Sequence, residues 1–214
     1  KLKKPYSHEI IGPLGQGVGV CEGIAKSVKL LCDALGIWCM IAISDANQEK
    51  QIKYRHAWNI IRLGKSYYHL DTTFDVSLSL EGMVRYDYFN LDDKQFFRDH
   101  EPVIYGAPRC EDGGSFYYKE KKLSFTKTEE AAKRAEQAAK KKKPLVFQWR
   151  GGYLNRETLM ELCSLLDQAA VRRGMHAKIT LNRAQAVFAV EFTVAETGAD
   201  REIDMNESRF DDIQ

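Results

Sequence analysis

Residues 17–36 read GVGVCEGIAKSVKLLCDALG, a Gly-rich approach running into an amphipathic stretch. Cys21, Ile24, Ala25, Val28, Leu31, Cys32 and Leu35 recur at steps of three and one, which places them on one helical face. Gly36 supplies the stop. The partly β-branched run from Ile37 to Ile43 then predicts a buried strand. Cys21 opens the helix, where amide N–H groups are unpaired and the dipole is positive, so a thiolate is favoured there. Gly19 and Gly23 are expected to leave room for a substrate backbone. A plain buried helical cysteine explains the position equally well.

Further along, Arg55–Leu63 and Ser66–Thr72 flank Gly64-Lys65, a pair suited to a two-residue hairpin turn. Leu63 then pairs with Ser66, Trp58 lies opposite Asp71, and His56 lies opposite Thr73. His56, Trp58 and Asp71 share one face, with His56 and Asp71 diagonal neighbours. A carboxylate so placed can fix an imidazole tautomer, as a nucleophile–base–orienter triad requires. A register shift of one would break the alignment. His69 falls on the same face and rivals His56, and His8 is a further candidate. A strand histidine and a strand-end Asp capping the Thr72-Thr73 turn are the plainer readings.

Upstream, Gly12, Gly15, Gly17 and Gly19 with Pro5 and Pro13 read as a loop over residues 1–20. Residues 74–114 read as an irregular, aromatic-rich wrap over the first core. Downstream the chain changes character. Phe116–Tyr118 reads as a strand, Thr126-Lys127-Thr128-Glu129 as a capping box before an Ala-patterned helix ended by Pro144, and Leu145–Trp149 as a strand. Asn155 caps a second helix that stops at Gly174, and strands come next near 177–181 and 186–194. The division expected is a core over 1–114, a small α+β unit over 115–195 and a flexible acidic tail over 196–214.

Hydrophobic residues make up 44% of the 214, enough for a packed core. No apolar run approaches the roughly 18 residues a membrane span needs. Lys plus Arg exceed Asp plus Glu by two, which gives no footing for nucleic acid or a membrane surface. Lys140–Lys143 reads as the basic C-terminus of a helix. Five cysteines without a CxxC pair disfavour both a zinc ribbon and a disulfide framework. Reduced thiols and the lack of a signal segment favour a cytoplasmic setting. The chain begins at Lys1 and reads as a fragment, so a secreted or cell-surface parent stays open. Oligomeric state is not legible.

Three segments together resemble the transglutaminase-like superfamily of papain-like thiol enzymes, bacterial type, over about residues 5–100. Gly17-Val18-Gly19-Val20-Cys21-Glu22-Gly23-Ile24-Ala25 is similar to the family's nucleophile motif, His56-Ala57-Trp58-Asn59 to its His-Ala-Trp segment, and Tyr68-His69-Leu70-Asp71-Thr72-Thr73-Phe74-Asp75 to its Asp-bearing strand end. Tyr88-Phe89-Asn90-Leu91-Asp92 is similar to the segment after the core in bacterial members.

The resemblance implies an α+β fold: a papain-like core, with a nucleophile helix on an antiparallel sheet, followed by the small α+β unit. Cys21 is then the nucleophile, His56 the base and acid, and Asp71 the orienter. The chemistry implied is acyl transfer from an amide of a protein or peptide through a Cys thioester, with hydrolysis favoured over crosslinking. Gln16 is a candidate oxyanion donor beside the Cys21 amide, and Trp58 a candidate substrate contact, though packing beneath the triad suits it better. Asp92-Asp93 and Glu111-Asp112 read as surface pairs, so no metal and no cofactor is expected. The competing expectation is a catalytically idle domain that binds peptides or proteins.

Overall fold

In the computed structural model, which describes residues 4–50 and 52–194, β1 (Cys39–Ser44), β2 (His56–Leu63), β3 (Ser66–Leu70) and β4 (Phe89–Leu91) form one antiparallel sheet in that order. The central hairpin has the expected register, with Leu63 opposite Ser66. Gly64 turns it at φ +62°, a conformation that side chains resist.

Helix α2 (Cys21–Ala34) lies on one face of this sheet. The Asn59 amide donates to the Ala25 carbonyl at 3.0 Å, and Cys32 packs with Cys39, Ile61, Tyr68 and Leu70. The buried stripe differs from the predicted one. Gly23, Ala25, Ser27 and Cys32 are buried, while Leu31 and Leu35 are exposed. On the opposite face Trp58, Ile60 and His69 are buried, and Phe74, Phe96 and His100 pack their rings around Trp58, His56 and His69.

Residues 4–20 are not the loop their glycines suggested. They hold a 3₁₀ turn at Pro5–His8, with Pro at its start, and helix α1 (Ile11–Gln16). The glycines serve close contact of the chain with itself. A Cβ on Gly23 would collide with the Ser7 carbonyl, and one on Gly19 with the Pro13 ring, so neither opens room for substrate.

The stretch expected to be irregular contains α3 (Thr72–Leu78) and α4 (Asp93–Phe96). Each begins at an aspartate N-cap: Asp71 accepts the Phe74 amide, and Asp92 the Gln95 amide at 2.7 Å. Between β3 and β4, Asn90 bulges out at φ +61°.

The described residues divide into two units, 4–80 with 84–117, and 81–83 with 118–194. In the second, β5 (Ser124–Phe125), β6 (Leu145–Trp149), β7 (Met175–Asn182) and β8 (Val187–Val194) form a mixed sheet in the order β5-β6-β8-β7. Helices α6 (Thr128–Lys140) and α7 (Arg156–Val171) bury Ala131, Ala135, Leu162 and Leu166 against Phe147 and Phe188. Residues 117–120 form a helical turn, α5 (Tyr117–Glu120), where a strand was predicted. The expected capping box is also not formed. Lys127 is the N-cap of α6, and Thr128 donates its hydroxyl to Glu161 instead. Asn155 does cap α7, accepting the Thr158 amide at 2.8 Å. The fold is thus α+β, with one antiparallel and one mixed sheet. The 196–214 tail lies outside the described residues.

Candidate active site

Three pieces of the sheet unit converge at one edge. Helix α2 starts at Cys21, and its N-cap, Val20, offers no side-chain cap, so the positive helix end faces the thiol. Strand β2 starts at His56. Strand β3 ends just before Asp71, whose backbone N–H donates to the Tyr88 carbonyl at 3.0 Å.

Asp71 has no exposed surface and carries three donors. Its Oδ1 accepts the Phe74 N–H at 3.1 Å. Its Oδ2 lies 2.5 Å from His56 Nε2 and 2.9 Å from His100 Nε2. Burial alone would raise its pKa. The charge of His56 and the hydrogen bonds from His100 and His56 outweigh that and hold the carboxyl well below the usual range. The one Asp71 carboxylate therefore caps α3 and meets His56 Nε2.

With Nε2 committed to Asp71, Nδ1 is the nitrogen left to meet the thiol. Burial opposes the imidazolium, but Asp71 and Cys21 raise the His56 pKa to about 10. Burial likewise opposes ionisation of Cys21. The hydrogen bond and charge of His56, with the Ala57 amide, overcome it and bring the thiol below its ordinary value. Both shifts move toward a thiolate–imidazolium pair. Cys21 and His56 are part-exposed, while Asp71 and His100 are closed off. Burial pushes the other shifted thiols, Cys39, Cys110 and Cys163, up instead, Cys39 to about 12.

The remaining candidates fall elsewhere. Trp58 is 1% exposed, so it cannot meet substrate. It stacks under His56 with ring centroids 5.9 Å apart and donates its indole N–H to His69 Nδ1 at 3.0 Å. His69 Nε2 meets Asp93 at 2.8 Å, and burial drops the His69 pKa to about 4. Because its Nδ1 accepts from Trp58, His69 keeps its proton on Nε2 and stays neutral. His8 pairs with Glu22 on the surface. Gln16 ends α1, is exposed, and makes no hydrogen bond to Cys21, His56 or Asp71 among the described residues.

Two clusters bring metal-ligand types together, His56–Asp71–His100 and His69–Asp93–Cys110. In the first, nitrogen and oxygen stand 2.5 and 2.9 Å apart, tighter than two ligands of one ion with bonds of about 2.1 Å in tetrahedral geometry. In the second, the Trp58 contact leaves His69 Nε2 protonated and without a lone pair. Both are proton-held pairs.

Sequence reading missed His100, Asp99 and Tyr88. His100 Nδ1 lies 2.8 Å from Asp99 Oδ1, and the Tyr88 hydroxyl donates to Asp99 Oδ2 at 2.5 Å. His100 stands 29 residues from Asp71, beyond any local spacing rule.

Among the described residues no helix is long and apolar enough to cross a membrane. Compared with known proteins, the chain matches no protein-family model and no curated sequence.

Proposed function

We propose that the chain is a thiol enzyme of the transglutaminase-like, papain-like kind, cleaving amides of protein or peptide substrates through a Cys21 thioester. The observation that carries this reading is His56 Nε2 2.5 Å from the sealed carboxylate of Asp71, with Cys21 at the start of α2 near enough to His56 for the imidazole to draw the thiol's pKa down.

Each chemical step has a residue to perform it. Cys21 Sγ attacks the amide carbonyl carbon, and the C–S bond forms. The oxyanion develops at the start of α2, beside the Cys21 amide. The His56 Nδ1 proton passes to the leaving nitrogen as the C–N bond breaks. Water then gives a proton back to His56 and its oxygen to the carbonyl carbon, and the thiolate leaves. Hydrolysis is favoured over amine transfer because it needs no second substrate site.

The test is turnover of a mixed peptide library with hydroxylamine as acceptor, read as hydroxamate by mass spectrometry. Cys21→Ala should lose the product by at least about 10³-fold, because triad members act as a unit. Equal product from both proteins, or none from the native chain, contradicts the reading. The latter result, with an ordinary thiol, would favour an idle domain that binds peptides.

A further inference from the structure

His100 is built unlike a packing residue. It is buried among Phe74, Tyr88 and Phe96, where a phenyl ring would fit the same rings. Instead each of its nitrogens meets a carboxylate, Nε2 that of Asp71 at 2.9 Å and Nδ1 that of Asp99 at 2.8 Å. Carboxylates accept, so both nitrogens must donate, and an imidazole with two N–H groups is a cation.

The charge matters where it sits. In the thiol-enzyme reading Cys21 and His56 pair as thiolate and imidazolium, with no net charge, which leaves Asp71 as a full negative charge with no exposed surface. Burying such a charge without a partner is costly. His100 balances it, and the remaining negative charge moves to Asp99, whose side chain keeps 11% exposure. The titratable and charged groups facing His100 are Asp71, Asp99, Tyr88 and His56, with His69 close enough to be disfavoured electrostatically as a cation.

We infer that His100 is a positioning residue of the thiol site: a buried imidazolium, clamped between Asp99 and Asp71, that holds the Asp71 carboxylate ionised and aimed at His56. The inference rests on the thiol-enzyme reading and adds a fourth member to it. His100 touches neither Cys21 nor substrate; it acts through Asp71.

Two measurements test it. Side-chain ¹⁵N–¹H spectra at pH 7.5 should show both His100 nitrogens protonated in the native chain, and Asp99→Asn should return one of them to the bare form. The second is the alkylation rate of Cys21 by iodoacetamide at pH 6.5. His100→Phe, which keeps the ring packing, should slow it about 10-fold, and His100→Gln, whose amide can still donate to Asp71, should recover part of that loss. A bare His100 nitrogen in the native chain overturns the inference, even where the variants do not fold. So does an unchanged rate in a folded His100→Phe protein while His56→Ala still slows alkylation. If His56→Ala also leaves the rate unchanged, the thiol-site reading falls first and the inference falls with it.

Discussion

The sheet unit holds two His–Asp pairs on one face, with Trp58 between them, and they behave in opposite ways. His56 with Asp71 is driven toward the cation, at about 10, and His69 with Asp93 toward the neutral ring, at about 4. Both imidazoles are desolvated, so burial does not separate them. The second ring nitrogen does. In His56 it faces a thiol that can become an anion; in His69 it accepts the Trp58 N–H and has no site for a second proton. The carboxylates differ too. Asp71 is sealed, while the Asp93 side chain is 35% exposed and its charge is screened by water. A histidine next to an aspartate is thus no signature of acid–base chemistry. What the other nitrogen meets decides it.

The contrast between the pairs is broken first at the carboxylates. Asp71→Asn should cut hydroxamate turnover by about 10³-fold or more, because an amide offers His56 a donor and spoils its tautomer. Asp93→Asn should leave turnover within about threefold. A similar loss in both would erase the distinction.

Next is the shared indole. Trp58→Ala removes a side chain that is 1% exposed from beneath both pairs and should cost about 3–5 kcal/mol in urea unfolding. Trp58→Phe separates its two roles. Stacking under His56 survives, but His69 Nδ1 loses its donor, at about 1–3 kcal/mol. The His69 midpoint, read by NMR, should then rise from about 4. A fixed midpoint would mean the indole hydrogen bond does not set that tautomer.

The smallest effect is on the pH dependence of stability. His69 is neutral when folded and takes up a proton on unfolding below its ordinary pKa near 6.5, so its contribution is present above pH 6.5 and lost as pH falls through about 4. His56 has the opposite sign: its contribution is full below pH 6.5 and lost as pH rises through about 10. His69→Gln, which can accept from Trp58 and donate to Asp93, should flatten the acid limb of urea midpoints between pH 6.5 and 4.5. An unchanged limb would assign that loss to other groups.

The parts legible in the sequence were those with local signals. Gly64-Lys65 set the hairpin and its period of two, which put His56, Trp58, His69 and Asp71 on one face from the residue pattern alone. Asn155 and Gly174 bracketed α7. Glycines 12, 19 and 23 misled because the same residue serves flexible loops and close backbone contact, and only the Tyr6, Pro13 and Ser7 atoms beside them tell which. Helix α3 was hidden because the Asp71 cap was read as closing a turn at Thr72-Thr73, where it opens a helix to Leu78. His100 was invisible because its meaning lies in two carboxylates, one of them 29 residues away.

Whether Cys21 and His56 form an activated pair is read most simply from the rate of Cys21 alkylation by iodoacetamide against pH, in the native chain and in His56→Ala. An activated pair predicts a fast rate that persists well below pH 8 in the native chain and collapses in the variant to a thiol titrating near 8.5. At pH 6.5 the difference should approach about 10²-fold, because such a thiol is only about 1% ionised there. A native profile that already tracks the ordinary thiol and ignores the His56 substitution would contradict it.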